Sequence, residues 1–199
     1  ARRSRLKTFY RDGTQEGVGD SVPLLSCRRV SIFFGALVAI NKLSFELEKG
    51  IILGIGGPNG AGKTTLFDAL SGLHSPDTGD ILLNGRSISG LPPHEICHAG
   101  IARTFQLNAF FGTMSVMENV LIASQHGHKS IDFQRTYFNS SERRRAESAL
   151  ELVGLSDKAD LTAGSLDILG QKLLMIAVAI ATDPQLLLLD EPVGGLIPR

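Results

Sequence analysis

The chain has 199 residues, with 20 Lys+Arg against 20 Asp+Glu for a formal net charge of zero, which argues against a nucleic-acid coat or a polybasic membrane anchor. A hydrophobic content of 43% is enough for a sizeable core and excludes intrinsic disorder. Cys27 and Cys97 show neither CxxC nor metal-ligand spacing, so a reducing, intracellular setting fits better than a disulfide framework or a zinc site.

Residues 1–27 read as a tail, basic at first and polar from Asp12 to Asp20, with no apolar segment of the secretory type. Residues 28–48 alternate loosely between apolar and polar and predict two strands around a turn at Gly35. Ile51–Gly57 is almost continuously apolar, as a strand buried on both faces would be. From Lys63 the period changes to that of a helix, with Leu66, Ala69, Leu70 and Leu73 on one face and Gly72 at the end. Ile81–Leu83 runs into Asn84-Gly85, a two-residue hairpin signal. The stretch 107–165 lacks strand alternation. It predicts a helix capped by Ser140 or Ser141, carrying Ala146, Ala149, Leu150 and Val153 on one face and closed by Gly154. Ile168–Ala181 reads as helix, Asp183-Pro184 breaks it, and Leu186–Leu189 predicts a second fully apolar strand. The longest apolar run here, Leu173–Ala181, falls well short of the about 18–20 residues that cross a bilayer.

Between the apolar strand and the helix lies Gly57-Pro58-Asn59-Gly60-Ala61-Gly62-Lys63-Thr64, a complete G-x-x-x-x-G-K-[ST]. Its glycines let the backbone curl until successive N–H groups face one centre, and the helix starting at Lys63 aims its positive end at the same point. A nucleoside triphosphate is the ligand this chemistry suits. Lys63 would reach the β- and γ-phosphates, the Thr64 hydroxyl would ligate Mg²⁺, and Thr65 would add a contact to the α-phosphate. The second apolar strand ends in Asp190-Glu191-Pro192. Asp190 would hold Mg²⁺ through its water shell, and Glu191 would face the attacking water as general base.

With the glycine loop, Arg103-Thr104-Phe105-Gln106 and LLLLDEP in that order, the chain resembles the ATP-binding subunit of an ABC transporter from about residue 28 onward. Phe34 to Ala39, GLPPHEICHAGIARTFQ, and Met114 to Val120 with its Glu118-Asn119 pair look most like importers of branched-chain and related amino acids, with the lipopolysaccharide-export ATPases next in likeness. The resemblance implies an α/β fold of the P-loop NTPase class with an antiparallel β portion and an inserted helical subdomain. The ATPase core would take residues 28–106 and 166–199, and the helical subdomain 107–165. It also implies that Phe34, with Phe33 as the neighbouring candidate, stacks on adenine, and that Gln106 completes the surroundings of Mg²⁺ and water. The implied partners are a second ATP-binding subunit and transmembrane permease subunits, with no nucleic acid. The implied location is the cytoplasm, on the inner face of the cell membrane.

Two features depart from that pattern. The family signature, a helix start of small residues pressed on a γ-phosphate, is replaced at residues 165–172 by Ser-Leu-Asp-Ile-Leu-Gly-Gln-Lys. In one register Ile168 takes the serine position and in the other Asp167 does, and the hydroxyl is lost in both. Asp167 reads either as a charge facing phosphate or as the N-cap of the following helix. No histidine follows Glu191, so the sequence reads as a shortened chain, and an incomplete module that binds ATP without productive turnover stands as the alternative function. A P-loop kinase or GTPase fits the carboxylate pair less well. His126-Gly-His128, the scattered His74, His94 and His98, and Arg143-Arg144-Arg145 read as solvated or structural side chains.

Overall fold

The computed structural model describes residues 7–11, 22–104, 109–126 and 138–190. The chain divides into two compact units, Ala1–Ala99 and Gly100–Arg199.

In the first unit, β2 (Leu25–Phe34) and β3 (Leu37–Leu47) form the hairpin expected around Gly35, pairing from Leu25↔Leu47 to Phe34↔Leu37. On its other edge β2 pairs antiparallel with β5 (Thr78–Leu83), which turns through Asn84 and Gly85, both at positive φ, into β6 (Arg86–Ser87). That is the conformation an Asn-Gly hairpin turn requires. The order β3-β2-β5-β6 buries Leu25, Cys27, Val30, Ile32, Ile40, Ile81 and Leu83. The ladder shifts register between Cys27 and Phe33, where Arg29 and Lys42 take positive φ. Hydroxyls take over there: Arg29 N–H donates to Ser44 Oγ at 2.9 Å and Lys42 N–H to Ser31 Oγ at 3.0 Å. β2 begins at Leu25, and Leu24, Leu25 and Cys27 are buried. Residues 25–27, assigned by sequence to the tail, therefore belong to the sheet, because Leu25 and Cys27 are part of its core.

A second, two-stranded sheet joins β1 (Lys7–Arg11) antiparallel to β4 (Ile52–Gly56), in the register Lys7↔Gly56 to Arg11↔Ile52. β4 is the strand expected to be buried on both faces, and it is not, since Ile52 stands 75% exposed. Among the described residues its one partner strand is β1, and a strand flanked so thinly keeps much of its surface in water. α1 (Lys63–Leu70) buries Leu66, Ala69 and Leu70 as its spacing predicts, and Gly72 follows at φ +76. α2 (Pro93–Ala99) packs through Ile96.

The second unit holds β7 (Ile101–Arg103) and β8 (Leu186–Leu188), paired in parallel with Arg103 opposite Leu188. Leu186 and Leu188 are buried while Leu189 is 38% exposed, so the run of leucines is covered incompletely. Among the described residues β7 is the one strand beside it. The helices α3 (Val116–His126), α4 (Ser140–Val153) and α5 (Ile168–Ala181) share a core built on Val116, Val120, Ala146, Leu150, Leu174 and Ala177. The predicted face of α4 is the buried one, and Gly154 closes the helix in the left-handed conformation. Its cap is Asn139 and not Ser140 or Ser141. Glu142 N–H donates to Asn139 Oδ1 at 2.7 Å and Asn139 N–H to Glu142 Oε2 at 2.6 Å, a reciprocal capping box that neither serine could make three residues ahead of a glutamate. α3 opens the same way, with Ser115 N–H on Glu118 Oε2 at 2.7 Å and Glu118 N–H on Ser115 Oγ at 3.1 Å.

Candidate nucleotide site

The glycine loop leaves β4 at Gly57 and enters α1 through Gly62, which is the N-cap residue at φ 92. A β-carbon on Gly62 would come to 2.6 Å from the carbonyl oxygen of Ala39 in β3, so both the backbone angle and the contact require glycine. Gly60 also takes positive φ, and Ala61 N–H closes a tight turn on Pro58 O at 3.1 Å. The Lys63 ammonium folds back over this loop and donates to Gly57 O at 2.8 Å and Pro58 O at 3.0 Å. Two carbonyls thus hold a positive charge above the curl of the backbone.

No side chain caps the start of α1, and its first turn contains no acidic residue. The first N–H groups of a helix have no partner within the helix, and together they amount to about half a positive charge. With Lys63 beside them, positive charge gathers at the loop, and the first turn of α1 has no acidic side chain to offset it. Gly57, Asn59, Gly60 and Thr64 are exposed, and Thr65 is half-buried. The described geometry thus collects Gly57, Asn59, Gly60, Gly62, Lys63, Thr64 and Thr65 around one loop.

Phe34 ends β2 and is 49% exposed, and Phe33 beside it is 39% exposed. Phe34 lies opposite Leu37, two residues from the Ala39 that faces Gly62. At about 3.4 Å per residue that puts the Phe34–Leu37 end of the hairpin about 7 Å further along β3.

Asp190 lies two residues beyond Leu188. Its Oδ2 accepts from Arg103 Nη2 at 3.1 Å, with both side chains at least nine-tenths buried. Thr104 N–H donates to Leu188 O at 3.0 Å, and the Asp190 N–H donates to Thr104 Oγ1 at 3.3 Å. The stretch leading to Gln106 is thereby fastened to the stretch ending in the carboxylate pair. Gln106 and Glu191 themselves lie outside the described residues. The sequence assigned Arg103 no role, and its pairing with Asp190 spans 87 positions. The available signal was a positive residue alone in an apolar strand.

The departure at residues 165–172 resolves into one geometry. Asp167 caps α5, its Oδ1 accepting from Gly170 N–H at 2.7 Å, and Gln171 Nε2 donates to Leu166 O at 2.9 Å. Ile168 and Leu169 are exposed. The Glu118-Asn119 pair also turns out to be structural: Glu118 closes the start of α3, and buried Asn119 accepts from Phe111 N–H at 2.7 Å while donating to the carbonyls of Phe111 and Ser115.

Among the described residues no three His, Cys, Asp or Glu side chains gather to hold a metal ion. The exposed Thr64 hydroxyl at the start of α1 is an oxygen donor of the kind a hard cation such as Mg²⁺ takes. No helix among the described residues is long and apolar enough to cross a membrane.

Residues 40–194 match the family described as ABC transporter. The chain is 40% identical over 187 residues to the high-affinity branched-chain amino acid transport ATP-binding protein BraF of Pseudomonas aeruginosa, a match covering 90% of this chain and 73% of that protein. It is 40% identical over 186 residues to the corresponding protein LivG of Escherichia coli, with the same coverage. Its fold is similar to the ADP conformation of MJ1267, an ATP-binding cassette of an ABC transporter, with a TM-score of 0.74 at 29% identity over 88% of this chain and 71% of that one. A family match over most of the length, relatives at this identity and a glycine loop shaped for phosphate agree, and the chain belongs to the ABC transporter family, with the fold of its ATP-binding cassettes.

Proposed function

We propose that this chain is the ATP-binding and ATP-hydrolysing subunit that energises an importer of branched-chain or related amino acids. The observation that carries the reading is the loop Gly57–Thr64, with Lys63 held over it and an uncapped helix start behind it. The likeness to BraF and LivG supports the solute class.

In this reading the backbone N–H groups of the loop and the Lys63 ammonium bind the phosphates, and Phe34 stacks on the base. Thr64 and Asp190 hold Mg²⁺, with Gln106 contributing to its surroundings. When bound, the ion neutralises phosphate charge and orients the leaving group. Glu191 accepts the proton of the attacking water. The subunit works as one of a pair and docks on transmembrane permease subunits through residues 107–165. That places it in the cytoplasm against the inner face of the membrane.

A specific observation favours the alternative of binding without turnover. The α5 start carries its own carboxylate at Asp167, and in either register the hydroxyl of a phosphate-facing signature is missing there. Nucleotide binding and steady-state ATP hydrolysis, measured on one preparation, separate the two readings. Lys63→Ala is expected to abolish binding, and unchanged ATP affinity overturns the cradle. Glu191→Gln is expected to leave binding intact and to lower turnover by about 10²–10⁴-fold, the usual share of a general base. Hydrolysis that survives this change removes Glu191 from the mechanism, and tight binding with no turnover in the unaltered chain selects the alternative.

A further inference from the structure

After α1 the chain folds back instead of leaving the helix freely. Leu73 N–H and His74 N–H both donate to Asp68 O, at 2.9 and 3.2 Å. Three residues on, Asp77 fastens the loop to β2, its N–H donating to Ser31 O at 3.0 Å and its Oδ2 accepting from Phe33 N–H at 2.7 Å. Between these anchors the half-buried His74 ring lies 5.0 Å from the Phe34 ring at an interplanar angle of 44°. That separation is within the range where aromatic side chains attract one another.

The Phe34 ring is only half covered, and its neighbours Phe33, Leu37, Val38 and Leu73 are exposed as well. Core packing therefore does not account for it. A phenylalanine left half in water rotates among rotamers, and that freedom is lost when a ligand settles on it. A second ring anchored by backbone hydrogen bonds on both sides reduces that loss.

We propose that His74 is a positioning residue for the nucleobase: it holds the Phe34 ring at a fixed tilt, so that a base stacks on a pre-arranged pair and not on a single mobile ring. This rests on the reading of Phe34 as the base-stacking residue, which the test addresses separately.

The experiment measures equilibrium binding of a fluorescent ATP analogue to the whole chain, competed by ATP and by inorganic tripolyphosphate, which has no base. His74→Ala is expected to weaken ATP about 3- to 10-fold, the size of one aromatic contact, while tripolyphosphate changes less than about twofold. His74→Phe is expected to restore ATP to within about twofold of the unaltered chain, because a ring and not a proton is needed. Equal losses for ATP and tripolyphosphate, no loss in His74→Ala, or failure of His74→Phe to rescue overturns the proposal. If Phe34→Ala leaves ATP affinity unchanged, the stacking reading falls, and the proposal for His74 with it. If Phe34→Ala weakens ATP while His74→Ala does not, only the His74 proposal is lost.

Discussion

Arg103→Met tests how the strand end that carries Asp190 is held. Among the described residues, two ion pairs of the same 3.1 Å length have different surroundings. Arg143 and Glu147 sit one helical turn apart with side chains 67% and 51% exposed, and Arg103 and Asp190 are 6% and 8% exposed. In water the first pair is worth about 0.3–0.5 kcal/mol, since both charges are nearly as well solvated apart as together. In the second, removing the guanidinium takes from a buried carboxylate its charged partner among the described residues, a change that costs about 3–5 kcal/mol. For a chain of this size that corresponds to a melting temperature about 6–20 °C lower. The assay is urea unfolding of the ligand-free protein in a double-mutant cycle with Asp190→Leu. Each single change should cost several kcal/mol, and the double change much less than their sum, because replacing a buried pair by apolar groups of similar volume is often neutral. An Arg103→Met variant that loses less than about 1 kcal/mol, or single effects that merely add, would refute the view that burial makes this pair strong.

Three further outcomes follow from local geometry. Asn139→Ala removes the side-chain half of the α4 capping box, the bond from Glu142 N–H to Asn139 Oδ1, and should cost about 1 kcal/mol by urea unfolding, with Asn139→Asp recovering most of it; no change would place the cap elsewhere. Burial pushes the Cys27 thiol up to about 12, so at neutral pH it is protonated and 2% exposed; alkylation followed by mass measurement should leave it unmodified in the native protein and modify it in urea. Burial alone would raise the Asp80 pKa, but hydroxyl donation from Ser87 and Ser89, the Ile81 N–H and the charge of Arg28 together lower it. Its folded value lies below its unfolded one, so its contribution is complete above the ordinary carboxylate range near about 4 and is lost as pH falls through the folded value. Urea midpoints from about pH 2 to 5 should then fall less steeply with acid in Asp80→Asn than in the unaltered chain.

Where a local rule acts alone, the sequence was sufficient. The change from strand to helix at Lys63, the Asn84-Gly85 turn, Gly154 closing α4, and the span Ile168–Ala181 all rest on backbone conformations that a few neighbouring residues decide. Two short elements, β7 and α2, escaped it. β7 and α2 are too short to display a period and owe their form to what lies beside them: β8 for the one, and for the other a core that takes Ile96. The start of α3 is legible in the sequence, since Ser115 and Glu118 have the capping-box spacing that the structure uses. The expectation of strands buried on both faces failed at Ile52 and Leu189 because an apolar run reports what a strand can bury, while its neighbours decide what it does bury. The contact between Phe34 and His74 was out of reach because it depends on Asp77 stitching a loop to a strand 44 positions away.

The two helix starts that bear on phosphate binding show how far a shared physical principle can diverge within one chain. Both α1 and α5 present unsatisfied N–H groups and the positive end of a helix dipole. At α1 the N-cap is glycine, the first turn is free of acid, and a lysine adds its charge, so an arriving phosphate meets only attraction. At α5 the Asp167 carboxylate already occupies Gly170 N–H at 2.7 Å. A full negative charge there outweighs the roughly half positive charge of the dipole. For a phosphate to take that place the carboxylate must swing out, forfeiting about 1 kcal/mol of capping and bringing two like charges together. The exposed Ile168 and Leu169 beside it have no polar group in the side chain to offer in exchange. Nucleotide binding through α1 and closure of a site over α5 are therefore separate properties of this sequence, and a chain that binds ATP through Lys63 can do so whether or not its α5 ever meets a phosphate.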